Sequence, residues 1–144
     1  MAAGNFILYN HAIYDMLKGD IDFASTTLVC AFVSAGYTSS QASHLSWSAQ
    51  ISTYELTTSG YAGKIIASPT VTIQDPSHIM FDAADTTLSA SSLMTAKYAV
   101  VRAQTSGRPV GYVDLDTGAG SGIDATQITL QWNANGLFRA NQAL

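Results

Sequence analysis

The chain has 144 residues, of which 47% are hydrophobic and only 11% charged, with a net charge of −4. Its six basic residues are scattered, so no basic stripe predicts binding to nucleic acid. No run approaches the ~20 apolar residues of a membrane span, and one cysteine, Cys30, excludes an internal disulfide or a thiolate zinc site.

The low charge suggests a protein built for contact. About 25% charged residues is typical, and here Ser, Thr, Asn, Gln and Gly supply the polarity instead. Such a surface costs little to desolvate, which favours protein–protein contact; a modestly soluble β domain is the alternative interpretation. The N-terminus lacks the basic region of a signal peptide, so we expect synthesis in a reducing cytoplasm.

Residues 5–18 are predicted to form the one clear helix. Asn5 can cap its start and Gly19 its end, with Lys18 in the last turn to suit the helix dipole. Apolar residues recur at spacings of three and four and form one stripe: Phe6, Tyr9, Ile13, Met16 and Leu17.

Short strands are predicted to follow the helix. Residues 26–33 are almost continuously apolar, as in a strand buried on both faces. Residues 51–57 and 65–73 also have strand composition, and Pro69 places the second at an edge or a bulge. Residues 82–91 are polar and irregular, with a brief strand at 87–88.

Residues 95–116 are predicted to form a central hairpin, because two runs rich in valine and tyrosine flank the turn chemistry of 104–109. Residues 128–132 alternate as a half-buried strand that places Trp132 in the core, and Asn135-Gly136 predicts a tight hairpin to a last strand. No helices separate the later strands, so parallel winding is disfavoured.

The predicted fold is therefore mainly β: an antiparallel β-sandwich of about seven or eight short strands with one N-terminal α-helix. We expect a single domain over residues 1–144, with the helix at 5–18 packed on a sandwich at 24–140.

The sequence shows no catalytic motif. His11, His44 and His78 lie in separate segments without metal-ligand spacing, and no serine sits in a Gly-x-Ser-x-Gly elbow. We therefore predict no enzyme activity and no cofactor. Asp114 and Asp116, beside a glycine-rich loop, are the candidates for a metal ion, although such pairs are usually solvated turn residues.

Aromatic residues are the remaining candidates for binding. Tyr37, Trp47, Tyr54 and Tyr61 could contact a protein partner, and the last three could stack on sugars. The alternative interpretation is that these rings fill the core.

Short segments spread over most of the chain occur in a characteristic order: LKGDID at 17–22, LVCAFV at 28–33, GYT at 36–38, SGYAGK at 59–64, FDAAD at 81–85, TAKYAV at 95–100, GYVD at 111–114 and WNANG at 132–136. This order of parts resembles a family of small structural proteins of tailed bacteriophages. The resemblance implies a non-enzymatic virion component, made in the host bacterial cytoplasm, and marks no catalytic residue.

The expected function is a capsid decoration or cement protein on the outer head surface. Its partners would be the major capsid protein or other virion subunits, including further copies of itself, with no nucleic acid and no membrane. A head–tail connector, collar or tail ring component is the structural alternative, and a carbohydrate-binding module is the alternative from another class. With the hairpin inside a sandwich, partner contacts are expected on the free side of the helix and on the loops at 36–47, 60–64 and 117–122.

Overall fold

The computed structural model describes residues 4–118 and 120–141 and confirms the predicted fold class, mainly β with antiparallel sheets and an N-terminal helix. Its helices are α1 (Asn10–Lys18) and α2 (Trp47–Gln50), the latter followed by a 3-10 turn at Ser52–Tyr54. Its strands are β1 (Ile7–Leu8), β2 (Leu28–Val33), β3 (Lys64–Ile65), β4 (Thr70–Asp75), β5 (His78–Asp82), β6 (Thr86–Ala96), β7 (Tyr98–Ala103), β8 (Pro109–Asp114), β9 (Ile123–Leu130) and β10 (Phe138–Asn141).

The largest sheet has the strand order β1-β8-β7-β2-β3, and the predicted hairpin forms its centre as β7 and β8. Every residue of β2 is buried, as its continuous apolar run predicts. Most residues of β7 and β8 are buried as well, so both faces of the hairpin are covered. The hairpin therefore belongs to the core.

The helix begins five residues later than predicted. Residues before it run along β8 instead: the Gly4 N–H donates to the Asp114 carbonyl at 2.7 Å, and Ile7 pairs with Tyr112. Asn5 therefore does not cap the helix. Gly19 does end it, in the left-handed conformation (φ 81°) that glycine adopts without strain.

The predicted apolar stripe on α1 is also wrong in part. Ala12 and Asp15 are its buried residues, and Tyr9, just before it, is buried too. Ile13 and Leu17 lie in solvent, together with Tyr14. The face of α1 that packs on the core therefore includes Asp15, an acidic residue that the apolar periodicity did not identify.

Two smaller sheets complete the fold, one with the order β10-β5-β4 and one formed by β6 and β9. The strand predicted at 65–73 is interrupted before Pro69, as its sequence predicts, and forms β3 and β4 with Ser68 at a positive φ of 53° between them. β4 lies at a sheet edge, as Pro69 predicted.

Three further predictions are corrected. Residues 51–57 contribute only an isolated bridge from Glu55 to Val33, since Ser52–Tyr54 is a 3-10 turn. The region read as irregular contains β6, paired with the distant β9. Asn135-Gly136 does form a turn, with Gly136 at φ 78°, but β10 pairs with β5 and not with β9.

Trp132 is half-buried at the margin of the core and donates its indole N–H to the Ala84 carbonyl at 3.0 Å. The main apolar cluster includes residues of α1, β2 and β6 to β9. The expectation of one domain over residues 1–144 stays a prediction. In the described part of the chain, no helix is both long and apolar enough to cross a bilayer.

Candidate functional site

Tyr37 lies in the core, which corrects the expectation that it is available to a partner. Its side chain is only 2% exposed, and its hydroxyl lies 2.6 Å from the Tyr9 hydroxyl and 2.7 Å from Nδ1 of His44. Its ring packs edge-on against Tyr98, with the ring centroids 5.5 Å apart. Burial raises the pKa of Tyr37 to about 12 and lowers that of His44. The hydrogen bond between Tyr37 and His44 therefore holds the 38–46 loop against the core.

Trp47 is buried as well, at 7% exposure, so its ring is also withdrawn from the surface. The Arg102 guanidinium lies 4.8 Å from the centroid of its ring, a cation–π contact. The backbone N–H of Trp47 donates to the Gly107 carbonyl at 2.9 Å. Trp47 thus connects α2 to the β7–β8 turn.

The other two aromatic candidates have different environments from each other. Tyr54 is partly exposed and contacts Tyr37, with the ring centroids 5.8 Å apart. Tyr61 is half-buried: its hydroxyl accepts a hydrogen bond from the Phe32 N–H at 2.6 Å, and its ring stacks on Phe32. Trp47 is enclosed, so its ring is not available for stacking on a sugar, whereas Tyr54 remains partly exposed.

Asp114 and Asp116 are brought together, but around an internal cation. The Lys97 ammonium lies 2.8 Å from Oδ1 of Asp114 and donates to the Asp116 carbonyl at 2.6 Å. The hydrogen bond that Lys97 donates to the Asp114 carboxylate raises the pKa of Lys97. Among the described residues, no group of three or more His, Cys, Asp or Glu side chains could hold a metal ion. Lys97 therefore supplies the positive charge that lies beside the Asp114 carboxylate.

An acidic cluster that sequence reasoning missed joins α1 to the β7–β8 turn. Asp15, only 1% exposed, forms an ion pair with Arg108, and its other carboxylate oxygen lies 3.1 Å from Nδ1 of His11. Asp20 is 3.8 Å from the same guanidinium. The only signal in the sequence was the i, i+4 spacing of His11 and Asp15. The ion pair of Asp15 with Arg108 therefore holds the buried face of α1 against the β7–β8 turn.

Apolar side chains remain exposed on the outer side of α1. Ile13, Tyr14 and Leu17 project from the helix, with Leu17 84% exposed, and Leu45 is exposed nearby. Tyr14 and Leu45 line a shared depression with Asn10, His11 and Ala42. We call Ile13, Tyr14, Leu17 and Leu45 the helix patch. It coincides with the predicted contact region on the free side of the helix.

A groove of about 760 Å³ runs between residues 4–6, the ends of β8 and β9, and residues 131–139. Three aromatic rings line it, those of Phe6, Trp132 and Phe138, beside aliphatic side chains. Its polar lining is mostly amide, including Asn5 and Asn133, and no carboxylate contributes. This lining offers contact area but no general acid or base pair for hydrolysis.

No protein-family model, curated protein or solved structure matches this chain. Its function must therefore be argued from its own residues.

Proposed function

We propose that this protein is a non-enzymatic structural protein of a tailed-phage virion, and specifically a decoration protein that binds and stabilises the outer head surface. The observation that carries the proposal is the helix patch, a group of exposed apolar side chains on a chain with little charge. The order of sequence segments described above supports the phage assignment.

The helix patch has the composition of a protein interface. An apolar centre with an aromatic anchor and a polar rim is typical of such contacts. Here Tyr14 is the aromatic residue, and the Lys18 ammonium lies 5.3 Å from its ring centroid. Lys18 also pairs with Asp20 at 3.3 Å, so the rim charges are already neutralised locally. A partner that covered the patch would therefore not leave Lys18 or Asp20 desolvated without an opposite charge.

Stabilisation would follow from mass action. A protein that binds assembled capsid subunits but not dissociated ones shifts the equilibrium toward the assembled head. Many small contacts repeated by capsid symmetry can together produce a large effect, even when each contact is weak.

The test uses heads that lack this protein, incubated with wild type, Leu17→Asp or the matched control Leu93→Asp. Leu93 is also largely exposed but lies on β6, away from the helix patch. We expect wild type and the control to co-sediment with heads and raise their rupture temperature, and Leu17→Asp to lose both effects. Equal rupture temperatures with and without wild-type protein would count against cementing.

Copy number in purified particles separates the two structural roles. On the order of hundreds of copies per particle would agree with a head surface, whereas about six to twelve would favour a connector, collar or tail ring with closed cyclic symmetry.

A further inference from the structure

β4 is an edge strand with an exceptional degree of exposure. It is the outermost strand of the β10-β5-β4 sheet, so one side of its backbone has no neighbouring strand within the described residues. All six of its residues are exposed, and Ile73 is 80% exposed. A flat edge of this kind is a template for pairing with another strand.

One face of β4 is apolar. Val71 pairs with Phe81 and Ile73 with Ile79, and directly opposed residues share a face of an antiparallel sheet. Phe81 continues to Phe138 on β10, where these rings stack with their centroids 4.3 Å apart. The outer end of this apolar face, at Ile73 and Ile79, remains open to solvent.

The devices that usually protect an edge occur only at the two ends of β4. Pro69 precedes the strand, and the register with β5 shifts between Ile73 and Asp75. Residues 70–74 between them contain no charge and no proline. Pairing with another strand is therefore hindered at the two ends of β4 and unhindered along the residues between them.

We propose that β4 pairs antiparallel with β4 of a second copy of this chain, around a two-fold axis at Thr72. The two three-stranded sheets then join into one continuous sheet, with Val71 of each copy opposite Ile73 of the other. Thr72 faces its own counterpart, and threonine pairs are favourable cross-strand neighbours. The contact is isologous and closes on itself, so it produces a dimer and not a filament.

Charge and side-chain pattern select this register. Asp75 lies opposite Pro69 of the second copy, which places the two carboxylates about 20 Å apart at ~3.4 Å per residue. Moving the axis to Ile73 would set Asp75 against Val71, and moving it to Val71 would set Ile73 against Pro69. Of these three axes, only the one at Thr72 pairs both apolar residues of β4, Val71 and Ile73, with each other, and it still keeps the two Asp75 carboxylates well apart.

The size of the contact sets its strength. A strand pair of this length buries less than the ~1,200 Å² of a standard stable interface, so the free protein should dimerise weakly and in proportion to its concentration. The proposed pairing is inferred from the geometry of β4 and does not depend on the proposed role in a virion.

A cysteine at the two-fold axis tests both the partner and the register. In Thr72→Cys the two new thiols meet, and the native Cys30 is fully buried and cannot compete. In the matched control Thr70→Cys, the new Cα atoms lie about 14 Å apart by strand geometry, beyond the ~7 Å limit for a disulfide. We expect mild oxidation to convert most of Thr72→Cys, and little of Thr70→Cys, into disulfide-linked dimer.

Sedimentation provides an independent measurement. We expect wild type to shift from monomer to dimer as its concentration rises, and Ile73→Lys to remain monomeric with an unchanged thermal unfolding midpoint. Equal cross-linking of the two cysteine variants, or a wild-type monomer at every concentration, overturns the proposal.

Discussion

The central five-stranded sheet and the outer three-stranded sheet place similar side chains in opposite environments. β2 and β4 are equally long and both carry β-branched residues, yet every residue of β2 is buried and every residue of β4 is exposed. β2 lies between β7 and β3, whereas β4 has a neighbouring strand on one side only among residues 4–118 and 120–141. β5, the central strand of the three-stranded sheet, also has no buried residue, so the exposure of β4 belongs to that sheet as a whole and not only to its edge position. We expect the five-stranded sheet to contribute most of the stability, and we propose the exposed edge at β4 as a contact surface.

Matched truncations to alanine in the two sheets should show the largest difference in the free energy of unfolding. Leu28→Ala in β2 should lower the free energy of unfolding by about 2–5 kcal/mol, because it leaves a cavity in a closed core. Ile73→Ala in β4 should cost under about 1 kcal/mol, since its side chain is already hydrated. Urea unfolding at low protein concentration measures both. Similar costs for the two variants would contradict the division.

The ion pair that attaches α1 to the central sheet should have the next largest effect. Asp15→Asn leaves Arg108 facing a neutral group, which should cost about 1–3 kcal/mol, below the usual loss for a buried pair because Arg108 is partly exposed. Asp20→Asn, at the more distant and exposed contact, should cost under about 0.5 kcal/mol. Thermal unfolding distinguishes them, and the reverse order would show that Asp20 is the main partner.

The hydrogen-bond chain Tyr9–Tyr37–His44 should give the smallest effect, visible in the pH dependence of stability. With Nδ1 of neutral His44 as the acceptor, Tyr37 donates to His44 and Tyr9 can donate to Tyr37. Protonated His44 can only donate, so one hydroxyl hydrogen of the Tyr9–Tyr37 pair loses its acceptor.

Burial lowers the pKa of His44 in the folded state, so its contribution is present above the unfolded value of 6.5 and is lost as the pH falls through the folded value. We expect the free energy of unfolding to fall between about pH 7 and pH 5, above the ~4 at which carboxylates titrate. His44→Gln should flatten this decline. An unchanged slope in that variant would assign the dependence to other groups.

Local patterns predicted the parts of the fold that local chemistry controls. The β7–β8 hairpin, the buried strand β2 and the end of α1 at Gly19 all follow from composition and backbone preference. β6 could not be predicted in the same way, because its serine- and alanine-rich sequence has weak strand propensity. It forms through pairing with β9, and that long-range contact leaves no local signal.

The candidate site was predictable only as a region. Apolar periodicity identified α1 but chose the wrong inward face, since the pairing of Asp15 with Arg108 depends on a contact across most of the chain. Aromatic residues such as Tyr37 and Trp47 suggested a contact surface, but a ring with a buried hydrogen-bond partner and one without look identical in sequence. Low overall charge predicted a surface suited to protein contact, and that stays a prediction.

The antiparallel pairing of Ile7 with Tyr112 also has a consequence for synthesis. β1 must wait for about 100 further residues before its partner β8 emerges from the ribosome, and β2 likewise waits for β7. Contacts between such distant segments make folding slow and leave nascent apolar segments uncovered. Chaperone supply during rapid production should therefore limit the yield of folded protein more than its final stability does.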